Sequence, residues 1–97
     1  MRVITKRTLL KYWGNYPDSM GPLTAWYAEA LKVQWSTPQD IKTHYKTASF
    51  LADNRVVFNI GGNKYRLIVK INYVYGMVYI RFIGTHAEYD KINAEEI

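Results

Sequence analysis

The spacing of apolar residues changes once along this chain, near Arg55. Before it, apolar positions recur every three or four residues, and after it they alternate. Arg2-Val3-Ile4 predicts a short first strand, and Thr5 offers a hydroxyl to cap a helix behind it. Leu9, Leu10 and Trp13 then lie at helical spacing, Gly14 and Asn15 fall near the helix end, and Pro17 stops it. Asp18 or Ser19 opens a second helix reaching to about Gln34. Its Leu23, Trp26, Tyr27, Ala30 and Leu31 follow the pattern of one apolar face. Ser36 or Thr37 can cap a third, short helix from Pro38 to Tyr45, with Ile41 and Tyr45 on its buried side.

Residues 46–54 are polar apart from Phe50 and Leu51 and read as a loop. From Arg55 the period is 2. Val56, Phe58 and Ile60 share one strand face, and Gly61-Gly62-Asn63 is a hairpin signal because these residues tolerate positive φ. Tyr65, Leu67, Val69 and Ile71 line one face of the next strand, with Lys64, Arg66, Ile68 and Lys70 on the other. The chain turns at Val74-Tyr75-Gly76. A third strand of this run follows, with Val78, Ile80 and Phe82 on one face and Tyr79, Arg81 and Ile83 on the other. Residues 85–92 read as a turn with one helical turn, and Asn93 to Ile97 as a loose tail. The fold class is α+β: a small antiparallel sheet, one short N-terminal strand plus three C-terminal ones, with two to three N-terminal helices on one face. Ninety-seven residues make a single domain, residues 1–97.

Composition narrows the classes. A hydrophobic content of 48% excludes a disordered chain, and three Trp, three Phe and nine Tyr supply a core. The absence of cysteine removes disulfides, thiolate zinc sites and cysteine nucleophiles. No apolar run follows Met1–Arg7 as in a signal peptide, and no stretch approaches the ~20 apolar residues of a membrane span. The expected location is therefore the cytoplasm, with no membrane partner. Net charge is +5, unevenly placed. Residues 1–87 hold 12 of the 13 Lys and Arg against four acids, or +8, whereas residues 88–97 set Lys91 against four acids, or −3. A basic body attracts a polyanion or an acidic protein; the plainer reading is solubility.

The candidate chemistry lies in the last third. If Tyr65, Leu67 and Val69 face the core, then Lys64, Arg66 and Lys70 face out; if Val78, Ile80 and Phe82 face the core, Tyr79 and Arg81 face out. Together they make a cationic, tyrosine-bearing sheet face, although an ordinary solvated face reads the same way. Arginines grip phosphate with two parallel hydrogen bonds. His86 falls just past the strand that carries Arg81. Cleaving RNA through its own 2′-OH needs a proton acceptor, positive charge on the phosphorane and a proton donor for the leaving 5′ oxygen. A histidine serves either proton role, and Arg66 and Arg81 supply charge. Tyr89 can stack on a base or help in proton transfer. Lys64, Lys70, Tyr79 and Lys91 are candidates for RNA contact. A packing or capping role is the plain alternative for His86, and His44 on the third helix is a weaker candidate. Two histidines 42 positions apart without cysteine make a poor metal set, so no metal or cofactor is expected. Glu88 and Asp90 read as solvating the last turn.

The segments Val57-Phe58-Asn59-Ile60-Gly61-Gly62-Asn63-Lys64-Tyr65-Arg66-Leu67, Tyr79-Ile80-Arg81-Phe82 and Thr85-His86-Ala87-Glu88-Tyr89-Asp90, in this order and spacing, resemble the HigB toxin family of RelE-like toxins. The N-terminal strand and the Trp/Tyr-bearing helices are similar too, so the resemblance spans nearly the whole chain. It implies a RelE-like fold and an mRNA interferase that cuts translated messages, commonly in the ribosomal A site, without a metal. It implies a HigA-like helix-turn-helix antitoxin, through which operator DNA is bound indirectly. By position, Arg66 and Arg81 would hold the scissile phosphate, His86 would be the acid/base group, Tyr89 would orient the base or move a proton, and Lys64 would add charge. The acidic tail departs from relatives with a basic C-terminal end. The competing readings are a non-catalytic RNA- or protein-binding module and an inactive toxin relative acting with an antitoxin in operon control.

Overall fold

The computed structural model describes all 97 residues. Strand β1 (Arg2–Ile4) leads into helix α1 (Lys6–Asn15). A 3₁₀ turn at Pro17–Ser19 reverses the chain into α2 (Met20–Lys32), and α3 (Pro38–His44) follows. Strands β2 (Ser49–Leu51), β3 (Arg55–Ile60), β4 (Tyr65–Asn72) and β5 (Met77–Thr85) lead to a single-turn helix, α4 (His86–Tyr89). The strands form one sheet in the order β1-β5-β4-β3-β2, with β1 parallel to β5 and every other pair antiparallel. Helix α1 packs on β5, and α2 on β1 and β3, so the helices cover one face. The α+β layering read from the sequence is the one observed, but the sheet is mixed and five-stranded where the sequence predicts a four-stranded antiparallel one, because β1 runs parallel to β5 and β2 adds an edge.

The core follows the two periods. Leu9, Leu23, Trp26, Ala30 and Ile41 come from the helices, and Val56, Phe58, Ile60, Tyr65, Leu67, Val69, Ile71, Val78 and Ile80 from the sheet. Phe58 sits at the aromatic centre, edge-on to Trp26 with centroids 5.4 Å apart and stacked on Trp35 at 6.0 Å. Such pairs contribute roughly 0.5–1.5 kcal/mol beyond the area they bury. The indole N–H groups of Trp26 and Trp35 are buried without a partner. Thr37 caps α3 with a capping box completed by Asp40. Leu10 and Leu31, grouped by spacing with the apolar faces, are about half exposed instead.

Four further expectations about particular segments need correction. Thr5 does not cap α1: its hydroxyl makes no cap bond, and its backbone takes φ +73°, uncommon for a β-branched residue, to turn the chain between β1 and α1. The 46–54 loop contains a strand, β2, joined to β3 across Ala52-Asp53-Asn54, with Asp53 and Asn54 both at positive φ. The tail is not loose. The backbone oxygen of Ile97 accepts from Arg55 Nε at 2.9 Å and Arg81 Nε at 3.4 Å, which ties the last residues to the sheet face away from the helices.

The fourth correction decides the site. Ile68 pairs with Phe82 but Val69 pairs with Ile80, so Arg81 is the extra residue of a β-bulge. Strict alternation fails there. Ile83, expected outward, turns in against Leu67, and Phe82, expected in the core, turns out against Ile68. The outer face therefore carries three cross-strand rows: Asn59–Arg66–Gly84, Val57–Ile68–Phe82, and Arg55–Lys70–Tyr79.

Candidate active site

Arg66 and Arg81 both belong to the outer face, at different heights. Arg66 pairs with Gly84, three residues beyond Arg81. At ~3.3 Å per residue their backbones are about 10 Å apart along β5. The Arg66 guanidinium donates to the carbonyls of Asn63 (3.0 Å) and Tyr65 (3.3 Å), which pins it over the β3–β4 turn without neutralising it. Arg81 is exposed and meets only the Ile97 oxygen. Neither arginine pairs with an Asp or Glu side chain, and Arg81 has only the terminal oxygen of Ile97 near it.

The lysines behave differently. Lys64 does not share the face of Arg66. It lies in the β3–β4 turn, where the strand period no longer applies, and its ammonium pairs with Asp18 of the 3₁₀ turn. The Tyr65 hydroxyl donates to the same carboxylate. Both donors hold the Asp18 carboxyl below its ordinary range, Lys64 foremost, and Asp18 in turn pushes the Tyr65 phenol up to about 12. Lys70 pairs with Asp53 at 2.8 Å, and Arg55 with the same carboxylate at 3.2 Å. Lys70 and Tyr79 line a shallow cavity of about 290 Å³ with Asn54 and Asn72. Four residues along β4 separate that end from Arg66, about 13 Å.

His86 reaches the Arg66 end through the backbone. Its N–H donates to the Lys64 carbonyl at 3.2 Å, closing the β4–β5 ladder just beyond the Arg66–Gly84 pair. His86 is the first residue of α4, and Tyr89 lies one turn on, on the same side. His86 Nδ1 lies 3.0 Å from Asp90 Oδ2, and Nε2 has no protein partner. That is the arrangement of an imidazole oriented by a carboxylate with its second nitrogen free for proton transfer. Tyr89 is half-buried, Lys91 is exposed, and His44 stands apart on α3. No three metal-ligating side chains converge.

Two residues of this region escaped the sequence reading. Glu88 does more than solvate the turn: it accepts the Thr85 N–H at 2.7 Å and the Tyr12 hydroxyl at 3.2 Å, and its own N–H donates to Thr85 Oγ1. The Thr85-x-x-Glu88 spacing is a capping-box signal that was legible. The Thr85 N–H chiefly, with Tyr12 adding, holds the Glu88 carboxyl below its ordinary value; burial first and the Glu88 charge second push the Tyr12 phenol up. Asp90 was also legible, as the residue four beyond His86. Gly84 leaves room for the Phe82 ring, which would sit 2.5 Å from a Cβ placed there.

The arrangement offers two guanidinium groups without Asp or Glu partners, an oriented imidazole and a tyrosine on an open surface, which suits a polymer with a phosphate backbone better than a small ligand. The family model of the HigB toxin, a RelE-like toxic component of a toxin–antitoxin system, matches residues 19–92. The chain is 31% identical over 94 residues to the mRNA interferase HigB of Escherichia coli O6:H1, covering 95% of this chain and 91% of that protein. It is 29% identical over 96 residues to the mRNA interferase toxin HigB of Escherichia coli K12, covering 97% and 92%.

Proposed function

This chain belongs to the HigB family of RelE-like toxins and is an mRNA interferase, an endoribonuclease of a toxin–antitoxin system; from that premise we propose that it cuts translated messages on the ribosome by attack of the RNA's own 2′-OH. The observation that carries this reading is the pair of guanidinium groups, Arg66 and Arg81, without Asp or Glu partners on the face that ends at the His86–Asp90 pair.

In the proposed step the 2′ oxygen attacks phosphorus, the P–O5′ bond breaks, and a 2′,3′-cyclic phosphate and a 5′-OH result. His86 Nε2 takes the 2′-OH proton, and Asp90 holds the ring and steadies the imidazolium. Arg66 and Arg81 stabilise charge on the phosphorane oxygens. Tyr89 either donates the proton to O5′, or stacks on a splayed base while the His86 imidazolium returns the proton to O5′, and Tyr89→Phe separates the two because it removes only the hydroxyl. No cofactor enters. An open site has little with which to align 2′-O, phosphorus and O5′, and this supports a ribosome that presents the message already bent. The natural inhibitor is a HigA-like helix-turn-helix antitoxin that also carries the toxin to operator DNA, and the place of action is the translating cytoplasm.

The test is induced expression in a bacterial host with primer extension on an abundant message. New 5′ ends within the coding region, lost in Arg66→Ala and in His86→Ala, are the expected result. Whole messages with normal growth would point to the binding-module reading. Cutting by a folded His86→Ala would remove the role given to His86.

A further inference from the structure

Helix α4 has a single turn and no buried residue, yet it bears His86 and Tyr89. A helix this short does not hold its shape by itself, because nucleation costs more than one turn returns. Its position must come from contacts with the rest of the fold: it packs on β5 and β4, and beyond its capping box to Thr85 two hydrogen bonds hold it. At its start, the His86 N–H is bonded to the Lys64 carbonyl. Within it, Glu88 is the only side chain hydrogen-bonded to another layer of the molecule, through the Tyr12 hydroxyl of α1. Tyr12 is itself a fixed post. Its ring stacks on Tyr16 with centroids 4.6 Å apart and meets Tyr65 edge-on at 5.8 Å.

We propose that Tyr12 and Glu88 are positioning residues of the RNA-cleaving site: through the Tyr12–Glu88 hydrogen bond the helical layer fixes α4, and with it His86 and Tyr89, relative to the arginines of the outer face. The inference rests on the function proposed above. Neither residue touches RNA in this scheme. Glu88 receives the Thr85 N–H and the Tyr12 O–H on the same oxygen, Oε1, so one carboxylate sets both the start of α4 and its distance from α1. Losing the outer bond frees the turn to tilt while the capping box keeps it helical. Misplacement of a reacting group by ~1 Å costs up to about a hundredfold in rate.

The experiment measures kcat and KM for cleavage of a short message on purified ribosomes, with melting temperatures for every variant. Tyr12→Phe keeps the ring packing and removes only the hydroxyl. It is expected to lower kcat about tenfold, with KM and melting temperature nearly unchanged. Glu88→Ala is expected to lower kcat further, and Glu88→Gln, which keeps an oxygen acceptor, to recover most of that loss. His86→Gln is run beside them. If His86→Gln abolishes cleavage while Tyr12→Phe and Glu88→Ala cut at the wild-type kcat, the positioning inference is wrong and the proposed function stands. A loss confined to KM, or one that merely follows the unfolded fraction, also overturns it. If His86→Gln itself cuts normally, the role of His86 and this inference fall together.

Discussion

The two ends of the outer sheet face carry similar side chains and use them differently. At the β2–β3 turn, Arg55 and Lys70 share one carboxylate, Asp53, and Arg55 is almost wholly buried with its Nε bonded to the Ile97 oxygen. At the α4 end, Arg66 is held only by carbonyls of its own turn, and His86 by Asp90. At the first end the fold consumes the positive charge; at the second it positions the charge and leaves it available. Counting cations along the strands gives both ends equal weight, and only the location of the carboxylates separates them.

Substitution can sharpen or break that contrast. The largest effect is expected for Arg66→Ala, which should lower the cleavage rate by about a hundredfold to a thousandfold with little change in melting temperature. Arg66→Lys should recover little, because an ammonium lacks the fork. Arg55→Ala should do the reverse, costing about 1–3 kcal/mol of stability in denaturant titration while the rate per folded molecule holds. A large loss of rate in Arg55→Ala would erase the distinction between the ends. Gly84→Ala puts a Cβ where the Phe82 ring now lies and should cost about 1–3 kcal/mol by overpacking. Activity should fall with it, since Gly84 is the partner of Arg66.

Acid makes a finer cut. Lys70 foremost, with Arg55 adding, holds the Asp53 carboxyl below its ordinary value of 3.8. A lowered folded-state pKa adds stability that is complete above the ordinary value and disappears as pH falls through the lowered one. Wild type should therefore melt above Asp53→Asn at neutral pH, and the gap should close below pH 3.8. A gap that persists in acid would mean that Asp53 acts through its turn geometry and not its charge. Lys70→Met should show the smallest effect, under about 1 kcal/mol, because its ion pair is exposed.

Much of this was legible in the sequence, and the failures share a cause. Leu23, Trp26 and Ala30, or Val56, Phe58 and Ile60, declare a face by local spacing, and the core is built on them. The bulge at Arg81 is not local. It exists because Leu67 and Val69 of β4 must meet Ile83 and Ile80, which strict alternation along β5 does not allow. Strand β2 is three residues long and is defined by β3 beside it, so its own composition says little. The Lys64–Asp18 pair spans 46 positions and no spacing rule reaches it. His86, Arg66 and Tyr89 could be picked out by residue type. Their supports, Asp90 and Glu88, could be read from i+4 spacing and a capping box, whereas the Tyr12 end of the strut could not.

The parallel pairing of β1 with β5 has a consequence for the birth of the protein. Arg2, Val3 and Ile4 pair with Met77, Val78 and Tyr79, which are translated 75 positions later, so this sheet edge cannot close until β5 has been made. Contacts that span so much sequence form late and slowly. Arg81, His86 and Tyr89 come later still, and α4 has nothing to dock on before β5 is in place. A nascent chain that has not yet reached β5 and α4 therefore lacks the assembled candidate site.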